Sequence, residues 1–116
     1  MYNYIQMLTI LIPAYNEEKI IQNTIDNIFE WSETSLLEIK LVIINNNSTD
    51  STESILKKNS LKNSSFFYKN EEKQGKGHAI KAGLALASSN VLILDADLSV
   101  SIDQFQTKWL ELKNTA

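Results

Sequence analysis

Four short apolar runs, separated by polar or amphipathic segments, set the pattern of this 116-residue chain. They lie at residues 8–12, 39–44, 66–68 and 91–94 and are rich in aliphatic, β-branched or aromatic side chains. Each run is too short for a typical helix, so we interpret all four as strands. Nearly continuous apolar character in the first two is typical of strands buried on both faces of a sheet. The last run is interpreted as a central strand.

Residues with helical spacing occupy the intervals between these strands. Isoleucines recur every three to four positions in a first helix, which Asn16 is predicted to cap and which runs to about Trp31. Ser48 or Asp50 is predicted to cap a second helix that ends near Asn59. Strand, helix and strand in this order form a crossover unit, which is expected to be right-handed.

Small side chains dominate a third predicted helix at residues 79–87, which can therefore lie close to a sheet. A fourth helix is predicted from Ser101 through Leu112. Strand and helix thus alternate along the whole chain, without an internal repeat or an obvious linker. The predicted fold class is α/β: one domain, residues 1–116, with an open, mainly parallel sheet and helices on both faces.

Composition narrows the classes of function. The chain has 14 acidic residues and 11 lysines, no arginine, and a formal net charge of −3. Its lysines are spread along the chain, so no basic footprint for nucleic acid is expected. It has no cysteine and no apolar run near the roughly 18 residues that a membrane span needs. A cytoplasmic domain, or one that is peripheral at a membrane surface, is the expectation.

Polar residues cluster where three of the predicted strands end. These clusters lie at residues 13–17, 45–50 and 95–97 and bring carboxylates, amides and hydroxyls. In open parallel sheets, ligands bind beyond the carboxyl ends of the strands. The three clusters are therefore expected to converge on one ligand-binding edge.

Asp95 and Asp97 are separated by one residue at the end of an apolar strand. Such a pair can reach a hard divalent cation together with the groups bound to it. On spacing alone, the pair could equally be loop residues or a cap for the helix at Ser101. Its position at the end of a strand favours the cation site.

The Gly75-Lys76-Gly77 segment precedes a predicted helix, and free amides at a helix start attract phosphate. It has neither the P-loop spacing nor the dinucleotide-binding pattern, and a plain turn with a solvated lysine is the alternative. His78, the only histidine, is interpreted as a surface or helix-start residue rather than a zinc ligand. Tyr15 could stack on a base or close the first turn against the core.

The segments at residues 8–18, 41–52, 75–79 and 95–99 together resemble the family 2 glycosyltransferases, over nearly the whole chain. The Asp-Ala-Asp-Leu-Ser sequence at 95–99, combined with Gly-Lys-Gly, is most similar to one branch of that family. Members of that branch transfer mannose or glucose from a nucleotide sugar to a polyprenyl phosphate such as dolichyl phosphate. The resemblance implies the GT-A fold, in which a Rossmann-like half binds the nucleotide-diphosphate sugar.

The resemblance also implies roles for individual residues, with a UDP- or GDP-hexose as donor and a lipid phosphate or saccharide as acceptor. Mg²⁺ or Mn²⁺ would be held by Asp97, with Asp95 as a second ligand. Lys76 would assist as a cation near the diphosphate. The implied donor-binding residues are Pro13, Ala14, Tyr15, Glu17, Ile44, Asn45, Asn46, Lys76, Asp95 and Ala96.

Two departures from the family pattern qualify this expectation. Asn45 and Asn46 stand where the family usually has two aspartates, so uncharged amides, which can still form hydrogen bonds, replace the carboxylates there. The family's catalytic domain also continues well beyond this length, into the acceptor side. We therefore expect the donor-binding half of a larger enzyme. The alternatives are a binding fragment or partner subunit without turnover, and a homodimer formed through an exposed sheet edge.

Overall fold

The computed structural model describes residues 6–35, 37–87 and 90–97. Strands and helices alternate along these residues, as the hydrophobic pattern predicts. The helix predicted from Ser101 lies outside the described residues. The elements are β1 (Gln6–Ala14), α1 (Ile21–Thr34), β2 (Leu37–Asn45), α2 (Thr52–Lys62), β3 (Phe66–Asn70), α3 (Lys76–Leu84) and β4 (Val91–Ile93).

The four described strands form one parallel sheet in the order β3-β2-β1-β4. The predicted α/β class with a parallel sheet is therefore confirmed. β1 and β2 pair along their full length, from Gln6 with Leu37 to Ala14 with Asn45, so their carboxyl ends are level. This register places the first two polar clusters side by side.

The prediction that β4 is a central strand is wrong for the described sheet. β4 lies at one end of the strand order and pairs there with β1 alone, through Thr9 to Leu11. Its first two residues are only half-buried and Ile93 is exposed. An apolar run indicates a strand, but it does not determine how many neighbouring strands that strand pairs with.

One face of the sheet is covered by α1 and α2. Alternate residues of the strands point to this side, because successive side chains of a strand lie on opposite faces. Isoleucines of α1 and Leu56 of α2 fill the space above them. The buried residues of this cluster are Leu8, Ile10, Ile12, Ala14, Ile21, Ile25, Ile28, Trp31, Ile39, Leu41, Ile43, Leu56, Phe66, Leu94 and Ala96.

The opposite face carries α3 and a smaller buried cluster. Leu11, Val42 and Ile44 of the sheet meet Ala79 of the helix. Gly83 lies so close to the sheet that a Cβ built on it would overlap Leu11 Cδ1. Small side chains thus allow the close approach that the sequence predicts, and helices do cover both faces.

The start of α1 differs from the prediction. Asn16 does not cap this helix, which begins at Ile21 after a turn. Asn16 instead adopts a left-handed backbone (φ 51°), and its Oδ1 accepts a hydrogen bond from the Thr49 backbone N–H at 2.7 Å. A partner on a neighbouring loop has replaced the local capping bond, which sequence spacing does not reveal.

The start of α2 also differs from the prediction: its N-cap residue is Ser51, without a side-chain capping bond, and Asp50 lies one residue earlier. The carboxylate of Asp50 accepts the Thr52 backbone N–H at 2.9 Å, at the first residue of the helix. The hydroxyl of Ser48 accepts the backbone N–H of Asn16 instead. Across residues 6–35, 37–87 and 90–97, no helix combines the length and the apolar character needed to cross a membrane.

Candidate functional site

A cavity of about 290 Å³ opens at the carboxyl ends of β1, β2 and β4. Its lining confirms that the three polar clusters converge on one edge of the sheet. The start of α3 adds a lysine to the same cavity. The lining residues are Pro13, Ala14, Tyr15, Glu17, Asn46, Lys76, Asp95, Ala96 and Asp97.

Two residues predicted as donor contacts lie outside this lining. The side chain of Ile44 is fully buried in the cluster beneath α3. Asn45 is 5% exposed, and its amide group donates to Asn70 Oδ1 at 2.9 Å. Successive side chains of β2 lie on opposite faces of the sheet, so Ile44 and Asn45 are buried on different faces, and neither lines the cavity.

Tyr15 is 57% exposed, at the open side of the cavity. The alternative that its ring closes the first turn against the core is therefore wrong. An exposed aromatic ring beside a polar cavity presents a flat face on which a base can stack. His78 is exposed near the start of α3 and does not line the cavity, as the sequence indicates.

Reciprocal hydrogen bonds fasten the loop after β1 to the loop after β2. Glu17 N–H donates to Thr52 Oγ1 at 2.9 Å, and Glu18 N–H donates to Asp50 Oδ2 at 3.2 Å. In return, Ser51 N–H donates to Glu18 Oε2 at 3.0 Å. These bonds fix the backbone that carries Tyr15 and Glu17, so this wall of the cavity is preorganised.

The pKa of Asp50 is consistent with its part as an acceptor in these hydrogen bonds. Desolvation raises the pKa of Asp50, but hydrogen bonds from the Thr52 side chain and from the backbone of Thr52 and Glu18 outweigh it. The pKa consequently lies below its ordinary value. The carboxylate is held in its charged, accepting form.

The segment 95–97 is held by a residue that sequence reasoning missed. Thr24 Oγ1, on α1, donates to the carbonyl oxygen of Ala96 at 2.6 Å, and Ala96 is 4% exposed. Leu94 N–H donates to Leu11 O at 3.0 Å just before this segment. The sequence does offer one indication of this contact: a threonine stands within the isoleucine stripe of α1, and a buried hydroxyl needs a hydrogen-bond partner.

Lys76 and Asp95 form an ion pair across the cavity mouth, with Nζ 2.7 Å from Oδ1. Both side chains are substantially exposed, at 60% and 49%. An exposed pair of this kind stabilises a fold by about 0–1 kcal/mol at most. Lys76 therefore loses little stabilising free energy when it leaves Asp95 for another partner in the cavity.

The carboxylates of Glu17, Asp95 and Asp97 line the cavity. Desolvation, followed by the negative charges of Asp97 and Asp50, raises the pKa of Glu17. A cation bound at Asp97 would relieve this repulsion, and carboxylate oxygens suit Mg²⁺ and Mn²⁺. Among the described residues, no group of three acidic, histidine or cysteine side chains forms a complete metal site. The carboxylates of Asp95 and Asp97, which line the cavity, would fit such a cation, with phosphates and water as its further ligands.

Comparison with known proteins gives the family. The model of Glycosyl transferase family 2 matches residues 9–114. The chain belongs to this family, which confirms the resemblance inferred from its motifs. A dolichyl-phosphate beta-glucosyltransferase (ALG5A) of Trichomonas vaginalis is 32% identical over 114 residues, covering 92% of this chain and 35% of that protein.

A second relative and a solved structure extend the comparison. The poly-beta-1,6-N-acetyl-D-glucosamine synthase of Staphylococcus aureus is 32% identical over 97 residues, covering 83% of this chain and 23% of that protein. A mannosyltransferase of Pyrobaculum calidifontis, solved with GDP-Man and Mn²⁺, has a TM-score of 0.66 and 28% identity. That match covers 81% of this chain and 28% of the mannosyltransferase. The GT-A fold class is thereby confirmed, and the chain spans about a third or less of the length of these relatives.

Proposed function

We propose that this chain is the donor-binding part of a glycosyltransferase that takes a hexose from a UDP or GDP sugar. The observation that carries the proposal is the cavity itself. Three strand ends and the start of α3 bring an exposed aromatic ring, a lysine and two aspartates to one opening. A nucleoside diphosphate needs a stacking surface for its base and positive charge for its phosphates.

Each residue has a role that its position supports. Tyr15 stacks on the base, and Lys76 exchanges its contact with Asp95 for one with the diphosphate. Asp97, with Asp95 as a second ligand, holds Mg²⁺ or Mn²⁺. When bound, that ion neutralises charge on the departing nucleoside diphosphate. The fixed backbone around Glu17 keeps the donor in one orientation.

The acceptor in this proposal is a polyprenyl phosphate, presented at a membrane surface. Its oxygen is already anionic and needs little help from a general base. That oxygen bonds to the anomeric carbon while the bond from this carbon to the diphosphate breaks, with inversion. The dolichyl-phosphate relative supports this class of acceptor. The polysaccharide synthase relative makes a saccharide acceptor the alternative to be tested.

The first test is calorimetric titration with UDP, GDP, UDP-glucose and GDP-mannose, each with and without Mn²⁺. We expect saturable binding to one base that weakens at least about tenfold without metal or in Asp97→Ala, equivalent to about 1.4 kcal/mol. Asp26→Ala is the matched control, because Asp26 is an exposed carboxylate of α1 outside the cavity lining. Absence of binding to all four ligands would overturn the proposal.

Turnover is tested separately from binding. The chain is incubated with the donor that binds, and with dolichyl phosphate in vesicles or a soluble oligosaccharide. Transfer of labelled sugar to lipid supports the proposed acceptor, and transfer to the oligosaccharide supports the alternative. Binding without transfer identifies a donor-binding fragment, which the coverage of only 35% of the Trichomonas relative makes a specific candidate.

A homodimer through the sheet edge at β3 is the last element of the proposal. Among the described strands, β3 pairs only with β2, so its outer edge offers unpaired backbone groups. Phe67 of this strand is 42% exposed. Light scattering over a hundredfold range of protein concentration tests it, and a constant monomeric mass would contradict it.

A further inference from the structure

Asn46 is buried at the end of β2, and all the polar atoms of its side chain are engaged by one loop. Its Nδ2 donates to the carbonyl oxygens of Glu71 at 3.1 Å and Lys73 at 2.8 Å. Its Oδ1 accepts the backbone N–H of Gly75 at 2.9 Å. The side chain is 8% exposed, so these bonds are largely shielded from water. One amide group thus holds three points of the segment 71–75.

This segment leads directly into the lysine of the cavity. Gly75 has φ 121°, a conformation that favours glycine, and its carbonyl oxygen accepts the first helical bond of α3, from Ala79. Lys76 is the first residue of that helix. Because Asn46 fixes the N–H of Gly75, it also fixes the point from which the Lys76 side chain extends.

We infer that Asn46 is a positioning residue for the diphosphate-binding lysine, acting through loop 71–75. This role deepens the proposed function and rests on it. It differs from a direct contact with the base or ribose, which the family resemblance implies for this position. The structure explains why an amide stands here: an aspartate could accept from Gly75 but could not donate to Glu71 and Lys73.

Substitution by the carboxylate that is usual in the family should therefore weaken the site. In Asn46→Asp, a buried charge would face two carbonyl oxygens, which is unfavourable. We expect the affinity for GDP or UDP with Mn²⁺ to fall about tenfold. Asn46→Ala removes all three bonds without adding charge, and it replaces Asn46→Asp if that variant fails to fold. Asn47→Asp is the matched control, because Asn47 donates only once to the same loop, to Glu72 O at 3.0 Å.

A double-mutant cycle with Lys76→Met separates positioning from direct contact. If Asn46 acts through Lys76, Asn46→Asp should weaken GDP or UDP binding by less than about twofold in the Lys76→Met background. A direct contact with the base would give losses that multiply, about tenfold in both backgrounds. Multiplying losses, or wild-type affinity in Asn46→Asp, would overturn the inference.

Hydrogen–deuterium exchange of the ligand-free chain distinguishes failure of this inference from failure of the proposed function. The segment 71–76 should exchange at least about tenfold faster in Asn46→Asp or Asn46→Ala than in wild type, with little change in Asn47→Asp. Unchanged exchange would show that Asn46 does not hold segment 71–76, whatever the chain binds. Faster exchange in a chain that binds no nucleotide would show that Asn46 holds this segment, and it would overturn both the role of Asn46 in binding and the proposed function.

Discussion

The two faces of the sheet differ in how much apolar side chain covers them. Under α1 and α2, large residues such as Ile28 and Leu56 form a deep core with alternate residues of the strands. Under α3, Ala79 and Gly83 lie almost directly on the sheet, and the buried cluster is small. Stability from apolar burial grows with the area removed from water, so the first face carries most of it.

The shallow face instead determines where the cavity lysine lies. Asn46 accepts the N–H of Gly75 and donates to the loop before it, and α3 packs closely against Leu11. Directional bonds and steric contact fix a position closely while adding modestly to stability. One face of this fold thus maintains the sheet, while the other places Lys76 at the cavity.

Removal of apolar volume from the deep face should have the largest effect. Ile28→Ala deletes a fully buried side chain and should lower the free energy of unfolding by about 2–5 kcal/mol. Ile80→Ala makes the same change in α3, where the side chain is only half-buried, and should cost clearly less. Urea denaturation of both variants measures the difference. Equal losses would break the distinction between the faces.

Addition of volume to the shallow face should have an intermediate effect. Gly83→Ala places a Cβ against the fully buried Leu11, and overpacking of this kind costs about 1–3 kcal/mol. Gly77→Ala is the matched control in the same helix, because nothing lies within 4 Å of a Cβ there. It should be neutral or stabilise by about 0.5–1 kcal/mol. The denaturation midpoint should fall in Gly83→Ala and stay level or rise in Gly77→Ala, and an unchanged or higher midpoint in Gly83→Ala would contradict close packing.

Loss of the lysine should have the smallest effect on stability and a large one on binding. Lys76→Met removes an exposed ion pair and should change the free energy of unfolding by less than about 1 kcal/mol. Its affinity for the nucleoside diphosphate should fall about tenfold, because a desolvated contact with phosphate is lost. Lys81→Met, in the same helix and outside the cavity lining, should leave binding unchanged. Denaturation and calorimetry on the same samples sharpen the division between stability and binding.

Much of the fold was predictable because it rests on local pattern. The apolar runs identified all four described strands within three residues at either end, and the isoleucine stripe identified α1. Errors arose where a distant partner changed a local preference. Asn16 has the residue type of a cap, yet its side chain bonds to Thr49, 33 positions away. The position of β4 in the sheet likewise depends on which strand it pairs with, and the hydrophobic pattern does not specify that.

The candidate site divides in the same way. Most residues of the cavity could be predicted, because strand ends in a parallel sheet meet at one edge and the family resemblance adds Lys76. Nine of the eleven predicted residues line one opening. Three features depend on tertiary contacts: Ile44 and Asn45 are buried away from the cavity, Thr24 holds Ala96, and Asn46 holds loop 71–75. Residue type and spacing specify what a side chain is able to bond, whereas the choice among partners depends on which backbone groups folding brings within hydrogen-bond distance.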